Sequence, residues 1–500
     1  MKFDHVIVGA GTAGCVVAAR LSEDAARSVL LLEAGPDYGP WSEAPAELRD
    51  AFRMPRDPWD WGLEATVVDE RRGWLGVGKV VGGTSATNGA GAWRPPASDF
   101  DAWAERSGCD WGWASVVEHF RRIETDADFG DRPWHGASWP LPIARWREED
   151  LLPVMRSWLD ASLESGQPFS EDMNAPDAVG IGFNPQNRVD ATRVSASAAY
   201  LDGARSRPNL TVRGGATVER VVLDGDRAVG VVVDGEKVVA AEVILCAGVP
   251  YSPALLQRSG IGPAEVLRAA GIEPRTELAG VGERVMDQPV VVLMGVPAED
   301  GAALGQPFLQ LAARLAAFPG FPDEHRFYLC LFAGMEADPP VAALLRTERV
   351  HWVIAGDLAP ASTGFVAVRS ADAAAQPEVS LGFYGVEGDL ERMRSGVRAA
   401  WELAQHPSFR PHIQRFGLVS QRVVDDEEKL DGMLRRATFS RQTFGGCAMG
   451  DVVDAACRVF GVAGLRVADA SIVPVPLRAG GALTALVIGE RVADAIRSGS

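Results

Sequence analysis

Residues 3–35 leave this chain the fewest ways to fold. His5–Val8 is a short apolar run that predicts a buried strand. It ends in Gly9-Ala10-Gly11-Thr12-Ala13-Gly14, after which Cys15–Leu21 predicts a helix with small residues on one face. A second apolar run, Val29–Leu32, ends in Glu33 and Ala34, with Glu33 nineteen positions after Gly14. Strand, tight turn, helix and a distant acid form a dinucleotide-binding fingerprint. Gly9 makes the turn, Gly11 admits a pyrophosphate, and Gly14 lets helix and strand pack closely. The helix N-terminus at Thr12 and Ala13 attracts phosphate, and Glu33 accepts from a ribose hydroxyl. The acid at the right distance separates this stretch from an ordinary glycine-rich turn, but leaves open which dinucleotide is bound.

A chain of 500 residues exceeds one hydrophobic core, so two domains or an interleaved pair are expected. No apolar run reaches membrane-spanning length, and the first strand begins almost at Met1, which leaves no room for a secretory signal. Six cysteines without Cys-x-x-Cys spacing indicate neither a disulfide framework nor a metal site. The expectation is therefore a cytoplasmic protein without membrane insertion. A net charge of -18 argues against nucleic acid and anionic membrane surfaces as partners. Basic residues are nearly all Arg, with Lys only at Lys2, Lys79, Lys237 and Lys429, a bias that points to a bacterial source of high GC content.

After Gly35 comes an aromatic, loop-rich connection, the kind of segment that covers a site. Trp74–Gly91 is rich in glycine, with Gly82, Gly83, Thr84, Asn88 and Gly89 forming a backbone able to approach a flat or anionic ligand. Helices are predicted over Asp101–Glu124, Leu151–Ser165, Arg193–Ala204 and Pro253–Gly271. From Leu210 to Leu245, β-branched runs separated by Gly-Gly and Asp-Gly dipeptides predict an antiparallel meander. Residues 290–435 read as a second unit, with strands at Arg326–Phe332, His351–Leu358, Gly364–Arg369 and Glu378–Phe383 and a helix over Asp389–Gln405. The chain closes with a strand, Leu465–Ala468, and a helix, Leu483–Ile496.

The order of motifs resembles the glucose-methanol-choline (GMC) oxidoreductases, flavoproteins that bind FAD. Beside the fingerprint, GKVVGGTSATNG at 78–89 is similar to the family's first signature and GVPYSPALLQRSGIG at 248–262 to its second. AGVGERVMDQP at 279–289 is similar to a stretch ending in Asp-His-Pro, with Gln288 in place of the His. GLRVADASIVP at 464–474 is similar to its closing FAD-binding strand. The resemblance implies an α/β fold: a Rossmann-type FAD-binding domain built from the discontinuous segments 1–150, 192–289 and 440–500, and an α+β substrate domain, 151–191 and 290–439, with a mostly antiparallel sheet. It further implies that Glu33 holds the adenosine ribose, Val218 lies at the adenine, Gly82–Asn88 wraps the pyrophosphate, and Asp469 and Ala470 approach the flavin. Thr87 stands near the position at which some members attach FAD through a His, so non-covalent FAD is expected.

The family's catalytic His lies in a stretch that here reads QTFGGCAMG, 442–450, and its position holds Gln442. A second position, His or Asn, falls on Ala482 in RAGGALT. A hydride-abstracting flavoenzyme needs an acceptor for the hydroxyl proton, and Gln is not one. His351 is the first candidate for a replacement base, with His325, Glu336 and Asp357 also in or beside expected strands. Trp93 and Arg94 are expected near the pocket, and Arg478 near the flavin edge. Three readings follow: an FAD oxidoreductase acting on a small hydroxyl-bearing or electron-rich substrate, a non-oxidising flavoprotein (light-driven decarboxylase or lyase) with Arg478 as carboxylate clamp, and a flavin electron carrier without catalysis of its own. GWASVVEHFRRIETDADF at 112–129 resembles the mycofactocin-associated branch. The electron acceptor is left open among oxygen, a quinone and a protein.

Overall fold

The computed structural model describes residues 2–298, 305–315, 326–417 and 419–499; His325 lies outside them. The fingerprint folds as its pattern requires. Lys2–Val8 pairs in parallel with Val29–Leu32 on one side and with Glu236–Leu245 on the other, Val6 standing between Leu30 and Val243. Val29–Leu32 is buried at all four positions, which is why it reads as a continuous apolar run rather than an alternating one. Helix Thr12–Leu21 covers the sheet and packs on the C-terminal helix Ala482–Ser498. A Cβ added to Gly489 would lie 2.8 Å from that of Val16, so the two helices meet closely enough to require the small residues seen in the sequence.

The meander contains three of the four expected strands, Val218–Asp224, Arg227–Val233 and Glu236–Leu245. The expected fourth, Leu210–Arg213, is instead a parallel edge strand beside Val29–Leu32. The Gly214-Gly215 turn leads away from a hairpin here: Gly215 N–H and Ala216 N–H donate to Gly35 and Glu33 carbonyls. The helix expected over 193–204 shrinks to a π-type turn, Ser197–Leu201, and Asp202–Ala204, after a strand fragment at Thr192–Arg193.

A second, antiparallel sheet runs in the order Ile413–Phe416, Pro289–Pro297, Arg349–Asp357, Phe327–Glu336, Leu311–Arg314, Gly180–Phe183. Its side chains alternate between two environments, as the pleat demands. Val291, Leu293, Leu329, Leu331, Val353 and Ala355 share a core with the helices Pro153–Glu164, Asp389–Ala404 and Glu427–Ala437. Val290, Tyr328, Cys330 and Ile354 face the other way, toward Trp93 and Phe308. Phe365–Ala367 and Glu378–Ser380 do not join this sheet. They pair with a hairpin, Leu63–Val68 and Arg71–Leu75, inside the stretch that reads as loop.

Behind Trp93 lies a buried ion cluster. Glu124, Asp126 and Asp172 face Arg94, Arg145 and His135, with Arg94 Nη2 to Glu124 at 2.9 Å and Arg145 Nη1 to Asp126 at 2.7 Å. The ligand atoms of Glu124, Asp126 and His135 lie within 4.8 Å of one another, but the two guanidinium groups already engage the carboxylates as a metal would. His135 Nδ1 lies 2.6 Å from Glu124 and Nε2 3.0 Å from Asp172, so each nitrogen faces a carboxylate, an arrangement that favours the imidazolium form. Burial opposes that charge, yet the hydrogen bonds to Asp172 and Glu124 outweigh it and hold the imidazole above its ordinary value. A raised folded value stabilises the fold below the unfolded pKa of about 6.5, and the contribution is lost as pH rises through the folded value. Urea unfolding of wild type and His135→Gln between about pH 5 and 9 is therefore expected to give a stability difference that shrinks with rising pH. A difference independent of pH would show that folding leaves the ring's affinity for its proton unchanged, and one that grows with pH would show a neutral ring.

Candidate functional site

One cavity of about 1110 Å³ joins the fingerprint to the second sheet. Pockets for drug-sized ligands occupy about 300–1,000 Å³, so this one has room for a dinucleotide and more. Gly9, Gly11, Thr12, Ala13, Glu33 and Ala34 line it from the first loop. Gly83, Thr84, Asn88 and Gly89 line it from the second, and Val218, Asp469 and Ala470 from the sheet's C-terminal edge. Gly14 and Gly82 are not on its wall. Gly14 serves packing, since a Cβ there would lie 2.0 Å from the Gly9 carbonyl oxygen, and Gly82 N–H donates to the Ala10 carbonyl at 2.8 Å. The two glycine loops touch back to back: a Cβ on Gly83, whose φ is +53°, would come within 2.7 Å of Gly11 Cα.

Glu33 is buried, its Oε2 accepting from Ala10 N–H and its Oε1 from Gly35 N–H, each at 2.9 Å. Burial pushes its pKa up to about 7 against those two hydrogen bonds and the charge of Lys79. Asp469 ties the closing strand to the turn after Glu236–Leu245, accepting from Gly248 N–H at 2.8 Å and from the Ser252 hydroxyl at 2.5 Å. Arg193 is buried and donates to the carbonyls of Leu48, Asp50 and Arg53 and to Asn88 Oδ1, which clamps the loop at 48–53 onto the second glycine stretch.

At the other end, Gln442 and Ala482 line the cavity together, as the two motif alignments imply. Asp287 sets this corner. It is buried, and accepts from the Ser440 hydroxyl at 2.6 Å and from the N–H groups of Gln288, Arg441 and Gln442 at 2.6, 3.0 and 3.2 Å. Burial raises its pKa to about 6 against these bonds. Gln288 donates to the Leu477 and Ala479 carbonyls, joining the corner to the loop before the last helix. The Gln442 amide oxygen accepts from Gly481 N–H at 3.0 Å, so its NH2 is the group left for the cavity.

Neither of the two further candidates reaches this corner. His351 lies in the second sheet with Trp352 and Ile354, which line the cavity, on the opposite face from it. It is fully buried, accepts from Gly334 N–H at 3.0 Å, and is held neutral by burial, which lowers its pKa to about 4. Arg478 turns away to Asp99, with Nε at 2.7 Å from Oδ1, and to Ser98. Trp93 does line the cavity, whereas Arg94 is closed into the ion cluster. Among the described residues lining the cavity there is no histidine. The charged group at this corner is Arg441, which the sequence reading passes over because it sits beside, not at, the motif's His position. Asn184, also on the wall, falls between the helices expected at 151–165 and 193–204, where the sequence reading assigns no element.

Known proteins share this arrangement. The N-terminal GMC oxidoreductase profile matches residues 3–290, and the C-terminal one matches residues 360–489. The chain belongs to the GMC oxidoreductase family. It is 34% identical over 502 residues to an uncharacterized GMC-type oxidoreductase of the thcA 5' region of Rhodococcus erythropolis, covering 98% of this chain and 97% of the relative. It is 32% identical over 542 residues to an oxygen-dependent choline dehydrogenase of Pseudomonas aeruginosa, covering 99% and 95%. Among solved structures, pyridoxine 4-oxidase from Mesorbium loti superposes with a TM-score of 0.89 at 27% identity, covering 99% of both chains. As a GMC oxidoreductase the chain is an oxidoreductase with FAD as its cofactor, and its residues fit that group. Helix Thr12–Leu21 opens on the cavity with no side-chain cap, which leaves its first amides to an anion, and each Glu33 oxygen keeps a lone pair for a hydroxyl. No helix among the described residues is long and apolar enough to cross a membrane.

Proposed function

We propose that this GMC oxidoreductase takes a hydride from a small hydroxyl-bearing or electron-rich organic molecule without a histidine base. The observation that carries the reading is the single cavity running from Glu33 at one end to Gln442 and Ala482 at the other. FAD supplies the hydride acceptor when bound. Glu33 and the two glycine loops hold its nucleotide half, and Asp469 and Ala470 stand where the nucleotide gives way to the substrate end. Thr87 on the wall has no side chain suited to flavin attachment, which supports non-covalent FAD. Segments 1–150, 192–289 and 440–500 serve as the FAD domain and the remainder as the substrate domain, a division supported by two separate cores.

At the substrate end, Gln442 Nε2 donates a hydrogen bond to a substrate oxygen, and Ala482 adds only a methyl group. Neither Gln442 nor Ala482 accepts a proton, and no histidine is among the described residues lining the cavity, so the substrate is one that deprotonates readily, such as an enediol or a reduced redox cofactor, rather than a simple alcohol. Arg478, which as a carboxylate clamp would favour the non-oxidising reading, lies outside the cavity.

The protein is expected to purify yellow and to release all its colour as FAD on acid precipitation. Colour kept in the pellet would contradict the non-covalent assignment, and FAD-free protein would remove the assignment of the cavity. Glu33→Ala is expected to weaken FAD binding by about 1.5–3 kcal/mol, roughly 10- to 100-fold in Kd, measured as occupancy after dialysis. Unchanged occupancy would take Glu33 out of the site.

A further inference from the structure

The substrate end is rich in hydrogen-bond donors and in positive charge. Arg441 lies on the cavity wall with its guanidinium carbon 4.2 Å from the Tyr328 ring centroid and donates to Gln288 Oε1, and no carboxylate among the described residues pairs with it. The adjacent acid, Asp287, takes the Arg441 backbone N–H instead. Arg314 stands behind, buried and donating to the Ala178 and Arg94 carbonyls at 3.0 and 2.8 Å, also without a carboxylate partner among the described residues. The third guanidinium, Arg478, is paired with Asp99. Tyr328 packs edge-on against Trp93 at 5.3 Å, and Trp93 Nε1 donates to Asn184 Oδ1 at 2.6 Å. That bond leaves Asn184 Nδ2 a donor with no partner, on a side chain 1% exposed and on the cavity wall. Arg441 and Asn184 thus flank an aromatic pair, and Gln442 Nε2 adds a third donor beside Arg441.

A buried donor without an acceptor is costly, and a guanidinium on an aromatic wall is suited to a planar anion. A quaternary ammonium group finds the opposite of what it needs, because Arg441 already occupies the face of Tyr328 and would repel it. Building on the oxidoreductase reading of this cavity, we propose that its substrate carries a carboxylate, bound by Arg441 and Asn184, with the oxidisable carbon toward Gln442. Charge complementarity at this one corner would set specificity against cationic alcohols such as choline.

Calorimetric titration of FAD-loaded protein with phenylacetate, phenylacetamide and choline tests this. Phenylacetate is expected to bind about 10- to 100-fold more tightly than its amide, and Arg441→Met to erase that preference while leaving amide binding in place. Arg441→Lys, which keeps the charge without the fork, is expected to retain part of it. FAD content reports folding in each variant. Equal binding of acid and amide, a preference that survives Arg441→Met, or choline as the tightest ligand would overturn the proposal. Wild-type protein that holds FAD but shows any of these outcomes leaves the oxidoreductase reading standing, whereas protein without FAD defeats that reading whatever the carboxylates do.

Discussion

Arg94→Leu is expected to cost about 3–5 kcal/mol of stability, because it takes the guanidinium partner from the buried Glu124 and leaves only His135 beside it. Arg94 and Glu124 are both fully buried, with Arg94 Nη2 donating to Glu124 Oε1 at 2.9 Å, an atom that His135 also meets, while Glu124 Oε2 has no hydrogen-bond partner. The Arg94 Nη1 also donates to the Trp134 carbonyl at 2.8 Å, so the change frees a second polar group. Urea denaturation of the FAD-loaded protein reads the loss, and a change below about 1 kcal/mol would mean that the cluster relaxes around the missing charge. Arg94→Leu with Glu124→Leu is expected to recover part of the stability, since removing both members of the pair removes the uncompensated carboxylate, although the Trp134 carbonyl and His135 Nδ1 still lose a partner. The loss should reach the site as well, because Trp93, the chain neighbour of Arg94, lines the cavity and Arg314 donates to the Arg94 carbonyl.

Gln442→His combined with Ala482→Asn is expected to raise flavin reduction by a simple primary alcohol about 10²- to 10⁴-fold, the usual contribution of a positioned general base. The corner that Asp287 builds through the N–H groups of 441 and 442 is backbone-made, so it survives the change of side chain at 442. Stopped-flow absorbance under anaerobic conditions measures the rate. An unchanged rate in a variant that keeps its FAD would show that the substrate end lacks more than a base.

Legibility in the sequence followed how local each determinant is. The fingerprint was readable because strand, turn, helix and acid lie within one short stretch whose spacing is set by phosphate and ribose chemistry. Pairing partners far apart in sequence were not. Leu210–Arg213 has the composition of its meander neighbours, and only the bonds from Gly215 and Ala216 to Gly35 and Glu33 make it a parallel edge strand. Leu63–Val68 and Arg71–Leu75 hide among tryptophans and turn residues, and their sheet is completed by strands some 300 positions later, a contact no local pattern announces. The same limit applies at the site. Gln442 and Ala482 could be aligned from motifs, but whether His351 or Arg478 joins them depends on strand parity and on Asp99, neither visible along the chain. Arg441 could have been found from its place beside Gln442, had charge been sought next to the motif rather than within it.

The central claim is that this FAD cavity, with Gln442 and Ala482 at its substrate end and no histidine among the described residues of its wall, does not oxidise an ordinary alcohol efficiently. Mixing wild-type FAD-loaded protein anaerobically with a panel of simple primary alcohols, and following the flavin absorbance, tests it most directly. The account predicts that the flavin stays oxidised or bleaches only slowly with every member of the panel; rapid bleaching by any of them would contradict it.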